Sequence, residues 1–193
     1  MPRRGCANEK RPGRRIDMPI ENERKLVLRD PDGALERALA AACPPWTRRA
    51  IRQAYLDAPG LRIRRFESAE GIEYIFSFKR PVNGDMVEIE TAMSAVDFER
   101  LWTLRRETLE KVRFHLGAGD CGWDVDFFKT DDVTYFALAE VEMPEGRIDP
   151  PPPPAILAPA IVLLVPRGDE RFASKKLADP VYAAQLRRTL VPV

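Results

Sequence analysis

The stretch IENERKLVL, residues 20–28, combines the alternation of a β-strand with an unusual set of charges. Successive side chains of a strand point to opposite faces, so Glu21, Glu23 and Lys25 share one face and mostly apolar side chains share the other. Both signs of charge on one face of a half-apolar strand are not explained by core packing. The stretch therefore predicts a strand whose charged face has a role beyond exposure to solvent.

The same alternation recurs in strand-like segments between Ile51 and Glu142. In most of them, like charges at positions i and i+2 share a face, roughly 6–7 Å apart along the strand. Like charges held so close are unfavourable unless opposite charges neutralise them. The residues of this pattern are Arg62 and Arg64, the single Lys79, Glu88 and Glu90, Lys111 and Arg113, Asp124 and Asp126, and Glu140 and Glu142.

Two interpretations of the charged face are open. In the first, the strands form a meander whose charged face lies in plain solvent, as in most one-sided sheets. In the second, the sheet closes into a barrel with a charged lumen, and the apolar face packs outward under helices. The recurrent doublets favour the second. A lumen with both signs suits a polyphosphate bound with divalent metal, because Arg and Lys hold phosphate oxygens while carboxylates hold Mg²⁺ or Mn²⁺.

Composition excludes several other classes of protein. The chain has 193 residues, 45% of them hydrophobic, which fits one globular domain, and its net charge of +1 gives no general basic surface for nucleic acid. Cys6, Cys43 and Cys121 lack metal-ligand spacing, which predicts a reduced, cytoplasmic protein. His115 is the only histidine, which disfavours a Ser/His/Asp triad. No apolar run approaches the ~20 residues that span a bilayer, so no membrane association is expected.

The chain divides into three parts by composition. Residues 1–17 are basic and rich in Gly and Pro, which predicts a disordered extension. Residues 18–183 form the predicted domain, and residues 184–193 form a C-terminal tail. Within the domain, ALERALAAAC (34–43) predicts a short helix, and a second helix begins near Ser94.

The order of the charged motifs resembles the CYTH superfamily, the triphosphate tunnel metalloenzymes. ENERK resembles the ExExK signature of that family, and RxR, a lone lysine, ExE, KxR, an acidic pair and a last ExE follow in the family's order over residues 18–177. QAYL and DFERLW also resemble the short bacterial members. The resemblance implies an α+β fold: an eight-stranded antiparallel β-barrel, the triphosphate tunnel, with a charged lumen and helices packed outside.

The resemblance also implies roles for individual residues. The segment DERFASKKL (169–177) is the counterpart of a basic stretch that closes the tunnel. Catalytic roles fall on Lys25, Glu88 and Glu90, of which the two glutamates orient water or a second metal. Metal binding falls on Glu21, Glu23, Asp126, Glu140 and Glu142. Phosphate binding falls on Lys25, Arg62, Arg64, Lys79, Lys111, Arg113, Arg171 and Lys175.

The activity implied is metal-dependent hydrolysis of a triphosphate-containing small molecule, with Mg²⁺ or Mn²⁺ as cofactor. Inorganic triphosphate is favoured because the sequence shows no pocket for an organic group. A class IV adenylate cyclase or a thiamine triphosphatase is one alternative. Trp46 and Tyr55 would contact the organic part of its substrate, although buried packing is the favoured interpretation of both residues. A non-catalytic polyphosphate- or nucleotide-binding module is the other alternative. Formation of a homodimer is left open.

Overall fold

The structure is a computed structural model that describes residues 22–42, 46–83 and 85–190. The predictions for Glu21 and for the extension at residues 1–17 fall outside these ranges.

Nine antiparallel strands in the described residues form one sheet, in the order β5-β4-β3-β2-β6-β7-β8-β1-β9. The charged doublets lie on successive strands, and their register places the charged residues of neighbouring strands side by side. The strands are β1 Glu23–Leu28, β2 Thr47–Leu56, β3 Leu61–Ser68, β4 Gly71–Val82, β5 Asp85–Ala92, β6 Arg105–Ala118, β7 Cys121–Thr130, β8 Val133–Glu142 and β9 Ile161–Leu164.

The α+β class and the antiparallel sheet are confirmed, but the closed eight-stranded barrel is wrong. The sheet is open, because in the described residues β5 and β9 are edges that do not pair with each other. The physical reason lies at β1, which pairs with β8 on one side and with β9 on the other. Residues 26–28 of β1 pair with β9 on this second edge, so their backbone groups are not available to β5. The short apolar segment that forms β9 was not predicted as a strand.

Two helices cover the apolar face of the sheet, as expected. Helix α1, Ala34–Ala40, buries Leu35 and Leu39 against the strand residues of a large apolar cluster that contains Trp123. Helix α2, Ala95–Trp102, buries Phe98 and Trp102 against β2 and β3. No described helix is both long and apolar enough to cross a membrane.

Ser94 caps the start of α2, where the sequence predicts that the helix begins. Ser94 Oγ accepts a hydrogen bond from the backbone N–H of Asp97 at 3.1 Å and donates to Asp97 Oδ2 at 2.8 Å. The cap satisfies one of the N–H groups that a helix leaves unpaired at its first turn.

Two further helices do not lie on the apolar face. They are α3, Ser174–Leu177, and α4, Pro180–Leu190, which crosses the predicted boundary at residue 183. Their buried Leu177 and Leu186 pack with strand residues such as Val27 and Phe128. By strand alternation, Val27 shares its face with Lys25, and Phe128 shares its face with Asp126. The helices therefore cover one end of the charged face, which corrects the expectation that all helices pack outside.

Candidate functional site

The charged side chains meet in two groups on one face of the sheet. The central cluster consists of residues of β1, β6, β7 and β8, and the edge cluster consists of residues of β3, β4 and β5. The members of the central cluster are Glu23, Lys25, Lys111, Arg113, Asp124, Asp126 and Glu140. Those of the edge cluster are Arg62, Arg64, Ser77, Lys79, Glu88 and Glu90.

Asp126 is the buried anchor of the central cluster. Its exposed fraction is 0%, and it accepts hydrogen bonds from Lys111 Nζ at 2.5 Å and from Arg113 Nε and Nη2 at 2.7 and 2.6 Å. Burial opposes ionisation of Asp126, but Arg113 and Lys111 hold its pKa below the usual range. The structure thus places Asp126 against two predicted phosphate-binding cations, which it holds in fixed positions.

Lys111 is nearly as buried as its partner. Its exposed fraction is 5%, and burial lowers the pKa of Lys111 to about 8, against the raising effect of Asp126. A lysine kept this far from water remains a cation at neutral pH only because carboxylates lie beside it.

A second part of the central cluster joins β1 to β8. Lys25 Nζ lies 2.6 Å from Glu23 Oε1 and 2.7 Å from Glu140 Oε1, while Arg113 Nη2 donates to Glu140 Oε2 at 3.2 Å. Burial would lower the pKa of Lys25, but Glu140 and Glu23 raise it above its usual value. Burial opposes ionisation of Glu140, but Lys25 and Arg113 hold its pKa well below the usual range. Lys25, Arg113 and Glu140 are therefore charged at neutral pH.

Glu23 and Glu142 are the predicted metal ligands that the register sets directly opposite each other, on β1 and β8. Glu142 is exposed and forms no ion pair with another described residue. Carboxylate oxygens are the donors that Mg²⁺ and Mn²⁺ prefer, so the chemistry of Glu23, Glu140 and Glu142 fits these ions. Within the described ranges no three acidic, His or Cys side chains form a ready metal-binding group, and Glu23 and Glu140 contact cations instead.

The edge cluster pairs arginines of β3 with glutamates of β5. Arg62 contacts Glu88 and Arg64 contacts Glu90 at close range, with cross contacts of 3.5 Å from Arg62 to Glu90 and 3.7 Å from Arg64 to Glu88. Lys79 Nζ lies 3.7 Å from Glu88 Oε2. The glutamates thus contact the guanidinium groups that are predicted to bind phosphate.

Ser77 of β4 connects the two sides of the edge cluster. It is fully buried, accepts a hydrogen bond from Arg64 Nη2 at 3.0 Å and donates to Glu90 Oε1 at 2.9 Å. The sequence pattern gave no reason to select this residue, since an uncharged serine does not belong to a charge doublet.

The two clusters face the same space. Tyr55 of β2 packs against the apolar cluster that contains Leu138 of β8 and Val27 of β1. These strands are three and four positions away from β2 in the sheet, so the charged face is strongly curved. Burial raises the pKa of Tyr55 to about 12, against the lowering effects of Arg62 and of a hydrogen bond with Gln53.

Strand β2 lies between the clusters and contributes a residue that the charge pattern missed. Gln53 is opposite Arg64 in the register and has an exposed fraction of 1%. Apart from a contact with the Tyr55 hydroxyl, its Nε2 forms no hydrogen bond within the described part of the chain, and the Nε atoms of Arg62 and Arg64 are buried and without partners there. The sequence feature that could have identified Gln53 is the strand alternation in IRQAYL, which places Gln53 on the same face as Tyr55.

The remaining predicted residues lie at the margins of the charged face. Lys175 is exposed, 5.7 Å from the centre of the Tyr55 ring and 3.7 Å from Glu107. Arg171 is exposed and binds Asp169, with Nη2–Oδ2 at 2.7 Å, rather than either cluster. His115 Nδ1 lies 2.8 Å from Asp124 Oδ1, and this hydrogen bond raises the pKa of the half-exposed His115.

Comparison with known proteins gave structural likenesses only. No protein-family model matches the chain, and no curated protein matches it. The hypothetical protein NE1496, known from a crystal structure, is 25% identical in sequence to this chain, and the two structures match with a TM-score of 0.47. The match covers 82% of this chain and 97% of that one. A candidate adenylate cyclase from Bacillus halodurans and a conserved hypothetical protein from Pyrococcus furiosus are each 14% identical with a TM-score of 0.44, over 64% of this chain and 80% of theirs.

At these identities and TM-scores the structural likeness carries no argument about function. The function of this chain is instead inferred from the side chains of the charged face. Membership of the CYTH superfamily stays a prediction.

Proposed function

We propose that the charged face binds the phosphates of a triphosphate together with Mg²⁺ or Mn²⁺ and hydrolyses the terminal phosphoanhydride bond, with inorganic triphosphate as the substrate. The observation that carries this proposal is the burial of charges of both signs on one face of the sheet. Exposed fractions are 0% for Asp126, 5% for Lys111 and 8% for Arg64.

In a meander whose charged face lies in solvent, these charged side chains would be exposed rather than buried. Withdrawing an ion from water costs several kcal/mol, and apolar residues in the same place are often as stable as an ion pair or more so. A face that nevertheless buries Lys111, Arg64 and Asp126 retains them for a use other than stability. Binding of a multiply charged anion is such a use, because preorganised and partly desolvated cations bind phosphate oxygens more strongly than solvated ones do.

The arrangement of both signs supports a ligand that carries metal as well as phosphate. Glu23 and the exposed Glu142 are opposite each other and would hold the metal together with Glu140. Bound metal neutralises charge on the phosphate oxygens. The cations Lys25 and Arg113, which lie on either side of Glu140, would then hold the phosphates beside it.

Hydrolysis requires only modest chemistry from the protein. Water adds to the terminal phosphorus, the anhydride P–O bond breaks, pyrophosphate leaves, and the proton of the water passes to a carboxylate. Glu88 and Glu90 are the carboxylates of the edge cluster that would orient the water, and Arg62 and Arg64 would stabilise charge on the transferred group.

The test is release of phosphate from inorganic triphosphate, ATP and thiamine triphosphate with Mg²⁺, Mn²⁺ or EDTA, for the wild type and for Glu23→Ala and Lys25→Ala. Matched controls are Arg65→Ala and Glu67→Ala, which remove an ion pair of 2.8 Å outside both clusters. We expect metal-dependent release that is lost in the two cluster variants and kept in both controls.

Two results would contradict the hydrolase. One is release that EDTA leaves unchanged. The other is a folded protein that releases phosphate from none of the three compounds, in which case formation of cyclic AMP from ATP and binding without turnover are the functions left to measure.

A further inference from the structure

Gln53 is a buried amide of the charged face, and the hydroxyl of Tyr55 on the same strand can match at most one of its two N–H groups. Its exposed fraction is 1%, and its Nε2 makes no other hydrogen bond to a described residue. Buried amide groups almost always have partners, because an unmatched donor loses its hydrogen bond to water and gains nothing in return. An apolar side chain of the same size would cost the fold less at this position.

Two neighbouring donors share this condition. Arg62 and Arg64 use their Nη2 atoms for Glu88 and Glu90, yet the Nε atoms of both arginines are buried and unpaired in the described residues. The register sets Gln53 opposite Arg64, and Tyr55 opposite Arg62. The unmatched N–H groups therefore belong to adjacent side chains on β2 and β3.

We infer that Gln53 is an uncharged phosphate ligand that completes, with the ε-nitrogens of Arg62 and Arg64, a subsite for one phosphoryl group of the bound triphosphate. The inference rests on the proposed function and adds a residue and a subsite to it. A phosphoryl group fits because its oxygens are strong acceptors that can each take a hydrogen bond.

The neutral amide is suited to its place. A third cation beside Arg62 and Arg64 would be repelled in a poorly solvated site, as the lowered pKa of Arg64 beside Arg62 already indicates. A glutamine adds a hydrogen bond to phosphate without adding charge. It therefore contributes to affinity without making the unliganded site less stable by repulsion.

The test measures binding rather than turnover, by calorimetry with inorganic tripolyphosphate in EDTA and with a non-hydrolysable imidotriphosphate in Mg²⁺. The variant Gln53→Met keeps the length of the side chain and removes the donor, and Gln53→Glu keeps the shape and replaces the donor by an acceptor. Gln185→Met is the matched control, because Gln185 is exposed on α4. Thermal unfolding without ligand is measured for each protein.

We expect Gln53→Met to weaken binding about ten- to one-hundredfold, the effect of one hydrogen bond to a charged group, while its melting temperature without ligand stays equal to or above that of the wild type. Gln53→Glu should weaken binding further, and Gln185→Met should bind as the wild type does. A merely structural role predicts the opposite pairing, with a lower melting temperature and unchanged binding.

The outcomes separate this inference from the proposed function. Wild-type affinity in both Gln53 variants overturns the subsite and leaves the hydrolase standing. Binding that depends on Gln53 without any phosphate release supports the subsite and overturns the hydrolase. A wild-type protein that binds neither probe overturns both.

Discussion

Arg113 and Asp126 lie opposite each other on β6 and β7 and form a two-pronged ion pair, with Nε–Oδ1 at 2.7 Å and Nη2–Oδ2 at 2.6 Å. The planar guanidinium matches the carboxylate in this geometry. The same carboxylate also accepts a hydrogen bond from Lys111. One buried anion therefore sets the positions of two cations of the central cluster.

Asp126→Asn should destabilise the fold, because it leaves the buried Lys111 and the partly buried Arg113 without their main counter-charge. Removal of one partner of a buried pair costs about 3–5 kcal/mol, to be measured as the free energy of unfolding in urea. The matched control is Asp57→Asn, which breaks an exposed contact with Arg106 and should leave stability nearly unchanged. Equal stability of Asp126→Asn and the wild type would show that the central cluster is not held by this residue.

Glu88→Gln and Glu90→Gln should strengthen binding of tripolyphosphate in EDTA while lowering turnover with metal. The two glutamates occupy the guanidinium groups of Arg62 and Arg64, so neutralising either one removes a competitor for the same donors. Each substitution should gain about tenfold in affinity, or about 1.4 kcal/mol, by calorimetry. Glu67→Gln, on an exposed residue of β3, is the control, and weaker binding in the Glu88 variant would count against competition.

His115 offers a direct report on the rim of the central cluster, because it is the only histidine of the chain. Its hydrogen bond to Asp124 raises its pKa above the ordinary value of about 6.5. A group whose pKa is raised on folding adds stability below its unfolded pKa, and this stability is lost as the pH rises through the folded pKa. A proton NMR titration of the imidazole should give a midpoint above 6.5, which falls back in Asp124→Asn. An unshifted midpoint in the wild type would refute the contact in solution.

Phe172→Ala should loosen the helices that cover one end of the charged face. Phe172 is fully buried, with its ring centre 6.5 Å from that of Phe136 on β8. Loss of such a side chain from a core costs about 3–5 kcal/mol, measurable by urea unfolding. Hydrogen exchange in α3 and α4 should rise in this variant, and unchanged protection there would show that the helices are held by other contacts.

Strand alternation alone was enough to predict which side chains share the charged face. Arg62 and Arg64, or Glu88 and Glu90, cannot lie on opposite faces of a regular strand, and the register then places β3, β4 and β5 side by side. Both partners of each ion pair in the edge cluster could thus be named from the sequence, although their pairing could not.

Closure of the sheet and the position of α4 could not be read from the sequence. Whether β5 pairs with β1 depends on which segment already pairs with the second edge of β1. Ile161–Leu164 pairs there, and this contact joins residues far apart in the chain. The apolar end of the charged face looked like ordinary core, because Val27 and Phe128 are hydrophobic residues in strands. Gln53 was missed for a related reason, because a single uncharged side chain does not form a doublet of like charges.

The unequal support of the two clusters has a mechanical consequence. Strands β1, β6, β7 and β8 each have a neighbour on both sides, whereas β5 pairs with β4 alone among the strands that the structure describes. Backbone held by one row of hydrogen bonds opens at lower free energy than backbone held by two. The strand that opens most easily therefore carries Glu88 and Glu90, the side chains that, under the proposed function, would have to release the arginines for phosphate to bind.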